Sequence, residues 1–122
     1  MSYESRIYIV EKSRNIGDNG KRFGEVIAKF NLSCIRNISN NLRNLPATDC
    51  YIYADVSETQ IIEDNYGETL KECTPAHLIN LIEKEIENGE DYRRLFPILA
   101  TLKAIEERRK QWGDIVCLHY GY

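Results

Sequence analysis

The sequence predicts an α+β domain: an antiparallel sheet of about five strands with two C-terminal α-helices and a closing strand. Three observations predict this class. Residues 1–64 contain short β-prone segments separated by turn sequences, residues 74–111 carry apolar side chains at helical spacing, and residues 114–120 are again β-prone. Since 122 residues is the size of one domain, we assign residues 1–122 to a single domain.

The first two predicted strands form a hairpin. Arg6–Val10 is rich in β-branched and aromatic residues, which favour a pleated surface. Asn19-Gly20 tolerates positive φ and therefore favours a turn before the second strand, Phe23–Leu32. In that strand the alternating pattern predicts that one face carries Val26, Ala28 and Phe30.

Two further strands are predicted before the helices. Cys50–Asp55 and Thr59–Asp64 flank residues 56–58, the length of a short hairpin loop, and a turn is expected at residues 65–67. Residues 37–46 are rich in Asn, Ser and Arg, with isolated leucines, and suit an irregular connection or one short helical turn. We therefore expect the first half of the chain to be an antiparallel meander without crossovers.

The helices have sequence signals at their ends. Thr74 as N-cap, Pro75 at the first helical position and Gly89 as C-cap delimit the first helix. The second runs from about Tyr92 to Gln111, and Pro97 lies near enough to its start to be tolerated. The closing strand, residues 114–120, is expected to return to the sheet as an inner strand or an edge.

Glu85 lies beside the apolar stripe of the first helix, between Leu78 and Leu81 by the helical step. We expect it at an exposed end of the stripe, because buried glutamates are rare. A buried charge paired with Arg94 is the alternative.

Composition excludes several classes of function. The net charge of −3 argues against binding a nucleic acid polymer, which usually requires a basic excess. The sequence has no apolar stretch of the roughly 20 residues that span a bilayer, and its first residues lack the apolar core of a signal peptide. We therefore expect a cytoplasmic protein that does not contact a membrane.

The cysteines and histidines match no catalytic or metal-binding motif. No CxxC pair occurs among Cys34, Cys50, Cys73 and Cys117, so we expect reduced thiols, with a four-thiolate metal site as the less favoured alternative. His77 and His119 lie outside GxSxG and HExxH motifs, and the glycines do not form GxGxxG. The sequence thus predicts no catalytic residues, no metal and no cofactor.

The second helix carries cations on both sides of its apolar stripe. Arg94, Thr101 and Arg108 lie on one flank, and Arg93, Phe96 and Lys103 on the other. Guanidinium groups bind phosphate in a forked geometry and an aromatic ring can stack on a base, so this surface is suited to a small nucleotide. The ordinary alternative is a charged helix surface that pairs with the acidic first helix.

Four segments resemble small proteins of phages and prophages: Arg6–Lys12, Tyr51–Asp55, Tyr92–Arg94 and Leu118–Tyr122. The order of a sheet followed by two helices is similar to the Thoeris anti-defence sponges. That resemblance implies a protein that is not an enzyme. It implies sequestration of cyclic ADP-ribose isomers, and in some members cyclic oligonucleotides, in pockets between the subunits of a homo-oligomer.

Such a pocket needs arginines for a pyrophosphate and an aromatic ring for an adenine. The candidate ligand-binding residues lie on the second helix and the closing strand: Arg93, Arg94, Phe96, Arg108, Arg109 and His119. Two other functions stay open. One is a phage protein-binding inhibitor of host defence machinery, of the anti-CRISPR type, whose acidic surface covers a basic cleft; the other is a small hydrolase or transferase that acts on nucleotides.

Overall fold

The computed structural model describes residues 5–16, 20–32, 38, 41–42, 44–53, 60–61, 69–89, 92–112 and 114–121. The elements in chain order are β1 (Ser5–Ile16), β2 (Arg22–Asn31), β3 (Cys50–Tyr53), β4 (Gln60–Ile61), β5 (Lys71–Cys73), α1 (Pro75–Glu87), α2 (Tyr92–Trp112) and β6 (Ile115–Gly121).

The strands of the described residues form one sheet in the order β4-β3-β2-β1-β6-β5. The central strand, β1, pairs antiparallel with β2 and with β6, so the closing strand is an inner strand. The predicted α+β class is confirmed, with a mostly antiparallel sheet, two C-terminal helices and a closing strand. Within the described ranges the sheet has six strands, close to the predicted number, and β5 is a strand that the sequence pattern did not indicate.

The connection from β2 to β3 differs from the predicted meander. Arg22–Gly24 pairs in parallel with Cys50–Ile52. Parallel neighbours require a long crossover, which residues 32–49 provide. The meander prediction was wrong here because apolar alternation marks a strand without indicating its direction. The antiparallel pairing of β3 with β4 is as predicted, while the turns at residues 56–58 and 65–67 lie outside the described residues.

A β-bulge at Ile27 changes which side chains of β2 share a face. Val10 pairs with Val26 but its neighbour Ile9 pairs with Ala28, so Ile27 is the extra residue, and it is 41% exposed. Val26 packs on one face of the sheet and Ala28 on the other. The prediction that Val26, Ala28 and Phe30 share a face was therefore wrong, because the bulge shifts the alternation by one residue.

Both faces of the sheet are buried. We call the core between the sheet and the helices the helix-side cluster: Ile7, Ile9, Leu32, Ile38, Leu42, Leu78, Ile82, Leu95, Ile98, Leu99, Leu102, Ile105, Ile115 and Cys117. We call the core on the opposite face the far-side cluster: Tyr8, Val10, Cys50, Ile52, Leu70, Val116, Leu118 and Tyr120. Burial on both faces explains why β1 and β6 are almost continuously apolar in sequence.

The start of α1 lies where its signals predicted, and its C-cap is Asn88, one residue before the predicted Gly89. The Thr74 hydroxyl accepts a hydrogen bond from the His77 amide at 3.1 Å, Pro75 is at the first helical position, and Gly89 follows the helix at φ 91°. Glu85 is buried, so the expectation of an exposed position was wrong. The side chain of Arg94, its predicted partner, lies outside the described part of the structure.

Candidate functional site

The outer surface of α2 carries an exposed aromatic ring. The apolar stripe of α2, which includes Leu95 and Leu102, faces the helix-side cluster. Phe96 lies off this stripe and is 61% exposed. Ala100 and Ala104, four and eight residues further on, are also exposed and are too small to cover the ring. An exposed large aromatic side chain of this kind is typical of a contact surface.

Cations border the ring along the same helix. Arg93 is exposed and lies three residues before Phe96, which makes the two side chains neighbours on the helix surface. Lys103, seven residues after Phe96, forms an ion pair with Glu83 of α1, with Nζ and Oε2 3.5 Å apart. Both members of this pair are about half-exposed, so it contributes less than about 1 kcal/mol. We call Arg93, Phe96, Ala100, Lys103 and Ala104 the α2 surface.

The other predicted ligand-binding residues are placed differently. Arg108 is exposed, but twelve residues beyond Phe96 it is rotated by about 120° around the helix. The backbone of α2 includes Arg94 and Arg109, and their side chains lie outside the described residues.

His119 does not share the α2 surface. It pairs with Ile7 in the sheet, is 2% exposed, and its Nε2 lies 2.7 Å from the Ser5 hydroxyl oxygen. Strand alternation places it on the same face as Ile115 and Cys117, toward the helices. Counting in twos from Ile115 predicts this interior position from the sequence.

Lys12, on the far side of the sheet, is a buried lysine that the sequence pattern did not indicate. The Lys12 side chain is 7% exposed, and its Nζ donates to Asp49 Oδ1 at 2.7 Å and lies 2.6 Å from Glu72 Oε1. The Thr48 hydroxyl donates to the same Glu72 oxygen at 2.8 Å. We call Lys12, Thr48, Asp49 and Glu72 the Lys12 network. These residues are far apart in sequence, so no local pattern indicates that they meet.

The Lys12 network stabilises the charged forms of Lys12 and Asp49. Burial lowers the pKa of Lys12, but the hydrogen bonds to Asp49 and Glu72 and their negative charges exceed this effect and raise it overall. The hydrogen bond from Lys12 in turn lowers the pKa of Asp49. A lysine held protonated is neither a nucleophile nor a general base. The network therefore serves to join β1, the segment before β3, and β5.

Cys50, next to this network, also has an unreactive side chain. Burial, the largest effect, raises the pKa of its thiol to about 11, so the reactive thiolate is scarce at neutral pH.

A further ion pair, between Arg22 Nη1 and Asp114 Oδ2 at 2.9 Å, joins β2 to the residue that precedes β6. This ion pair, like the Lys12 network, connects separate parts of the sheet.

Among the residues that the structure describes, no group of three or more His, Cys, Asp or Glu side chains is placed to hold a metal ion. None of the helices in the described ranges combines the length and apolar content that crossing a membrane requires.

Comparisons of the chain with protein-family models, with curated proteins and with solved structures gave no match.

Proposed function

We propose that this chain is a phage-encoded binding protein that sequesters cyclic nucleotide immune signals without cleaving them and so counteracts bacterial antiviral defence. Cyclic ADP-ribose isomers are the first candidate ligands, and cyclic oligonucleotides share their chemistry. The observation that carries the proposal is the exposed ring of Phe96 with Arg93 beside it on α2.

The chemistry of the α2 surface fits such a ligand. Stacking of a base on an aromatic side chain contributes about 1–3 kcal/mol. A guanidinium group binds phosphate oxygens through charge-assisted hydrogen bonds, and Arg93 is one helical turn from Phe96. A ligand that combines an adenine with a pyrophosphate can stack its adenine on Phe96 while its pyrophosphate binds Arg93.

The shape of the α2 surface favours a homo-oligomer. A single helix presents a convex surface, whereas small-molecule sites are concave and bury most of their ligand. A second copy of the chain placed against α2 would complete the concavity. Ala100 and Ala104 are small and allow close approach of a second copy.

The test is isothermal titration calorimetry with cyclic ADP-ribose isomers and with cyclic di- and trinucleotides. We expect stoichiometric binding and recovery of the unchanged ligand after heating the complex. Phe96→Ala should weaken binding by about 5- to 150-fold, the equivalent of one lost stacking contact. Ile27→Ala is the matched control, because it truncates the exposed hydrophobic side chain at the bulge of β2 and should leave affinity unchanged.

Two results would reject this function. Absence of binding to all of these ligands at micromolar protein would remove the sponge proposal and favour the protein-binding inhibitor. Release of a chemically altered ligand under multiple turnover would instead indicate an enzyme. Binding that Phe96→Ala leaves intact would keep the function and move the site away from α2.

A further inference from the structure

Two free thiols face each other at the β5–β6 edge of the sheet. Cys73 of β5 is directly opposite Cys117 of β6 in the antiparallel pairing. Both are free, Cys117 is buried in the helix-side cluster, and Cys73 is half-buried and packs against the same cluster. The two side chains therefore lie on the same face of the sheet.

The backbone geometry brings this pair within the range of a disulfide. Glu72 donates its amide hydrogen to the Pro46 carbonyl, and the Leu70 carbonyl accepts from Thr48, so the even residues of β5 bond away from β6. Cys73 consequently bonds toward β6 and forms a hydrogen-bonded pair with Cys117. Opposite residues in such a pair have Cα atoms about 5.5 Å apart, close to the most frequent value in disulfides.

We propose that Cys73 and Cys117 form an oxidisable dithiol that low-molecular-weight disulfides convert to a cross-strand disulfide. The Cys73 thiolate attacks one sulfur of the oxidant, which gives a mixed disulfide and releases the first thiol. Cys117 then loses its proton and attacks the Cys73 sulfur, which releases the second thiol. The protein loses two protons and two electrons in total, and the oxidant is reduced to two thiols.

The surroundings of the pair assign the order of these steps. Cys73 is the more accessible thiol and meets the oxidant first. The hydrogen bond with Cys73, together with burial, raises the pKa of Cys117, so its thiolate is scarce at neutral pH. The nearby charge of Glu106 adds to this effect. The second step therefore requires deprotonation of Cys117, and its rate should increase with pH. The bridge would fix β5, which carries Glu72 of the Lys12 network, to β6.

The experiment equilibrates the folded full chain with oxidised glutathione, blocks the remaining thiols, and identifies the linked peptides by mass spectrometry. We expect the intact protein to lose two hydrogens and the linked peptides to contain Cys73 and Cys117. Cys50→Ser, which changes a thiol on the opposite face, should behave identically. Cys117→Ser, if circular dichroism shows it folded, should stop at the glutathione adduct on Cys73.

Other outcomes would overturn the proposal. One is recovery of both thiols unbridged from the wild type after equilibration with the oxidant, and the other is a bridge that includes Cys34 or Cys50. Neither result bears on nucleotide binding, because this proposal is independent of the α2 surface.

Discussion

The α2 surface and the Lys12 network both contain basic side chains, but those of the α2 surface are exposed and Lys12 is buried. On α2, Arg93 and Lys103 are exposed, and Lys103 pairs with Glu83, which is itself about half-exposed. In the network, Lys12 is enclosed and donates to two carboxylates. Removing a buried charged group from its partners costs more stability than removing a charged group from a surface pair. We therefore expect substitutions in the Lys12 network to lower the free energy of unfolding, and Phe96→Ala to weaken ligand binding.

The largest effect should come from removing the buried charge. Lys12→Met leaves Asp49 and Glu72 close together without their cation, and we expect a loss of about 3 kcal/mol in the free energy of unfolding. This is the lower end for broken buried pairs, because both carboxylates are partly exposed. Urea denaturation followed by circular dichroism measures it.

Lys103→Met is the matched control, since it removes a lysine from an exposed ion pair. It should cost less than about 1 kcal/mol. Equal losses for the two variants would contradict the distinction between the regions.

The next largest effect concerns the packing beside the network. A Cβ at Gly24 would clash with Cys50 Sγ and Val10 Cγ1 in the far-side cluster. Gly24→Ala should therefore destabilise the protein by about 2 kcal/mol, the cost of overpacking. Thermal and urea unfolding give this value. Combining it with Cys50→Ala should recover part of the loss, and strictly additive losses would show that the two sites are not in contact.

The pH dependence of stability gives a smaller effect. The folded pKa of Asp49 is lowered, chiefly by the hydrogen bond from Lys12, so its contribution is present above its ordinary value of 3.8 and is lost as pH falls through the folded pKa. The folded pKa of Lys12 is raised, because its hydrogen bonds exceed the effect of burial. Its contribution is therefore present below 10.5 and is lost as pH rises through the folded pKa.

Asp49 is more than half exposed, so its share should be less than about 1 kcal/mol. Asp49→Asn removes the titrating group and tests this share. The stability difference between wild type and Asp49→Asn should be greatest near neutral pH and should shrink below pH 3.8. A difference that stays constant through this range would show that the carboxylate is not the source.

The smallest stability effect should come from the α2 surface itself. Phe96→Ala removes a ring that is mostly exposed, so we expect less than about 0.5 kcal/mol of change in unfolding free energy. Differential scanning calorimetry without ligand measures it. A loss as large as that of Lys12→Met would mean that Phe96 is part of the core, and the α2 surface would lose its separate role.

Local signals predicted much of this fold. Thr74, Pro75 and Gly89 delimited α1 because capping depends only on neighbouring residues. The apolar runs that became β1 and β6 marked the strands that are buried on both faces. Phe96 and Arg93 were identified as surface candidates from helical spacing alone, and the structure places both on the exposed side of α2.

The features that escaped prediction depend on contacts between distant segments. The parallel pairing of β2 with β3 and the meeting of Lys12 with Glu72 arise from the crossover of residues 32–49 and from the position of β5 beside β6. The bulge at Ile27 is set by pairing with β1, which no pattern within β2 contains. Glu85 was expected at the surface from the rarity of buried carboxylates, and the packing of α1 buries it instead.

We propose that ligand binding belongs to the α2 surface, whereas the Lys12 network supports the fold. Titration of a cyclic ADP-ribose isomer into isotope-labelled protein, followed by NMR, tests it most directly. We expect saturable chemical-shift changes centred on Arg93, Phe96 and Ala100, with the signals of Lys12 and Glu72 unchanged. Changes centred on Lys12 and Glu72, or no change at millimolar ligand, would contradict it.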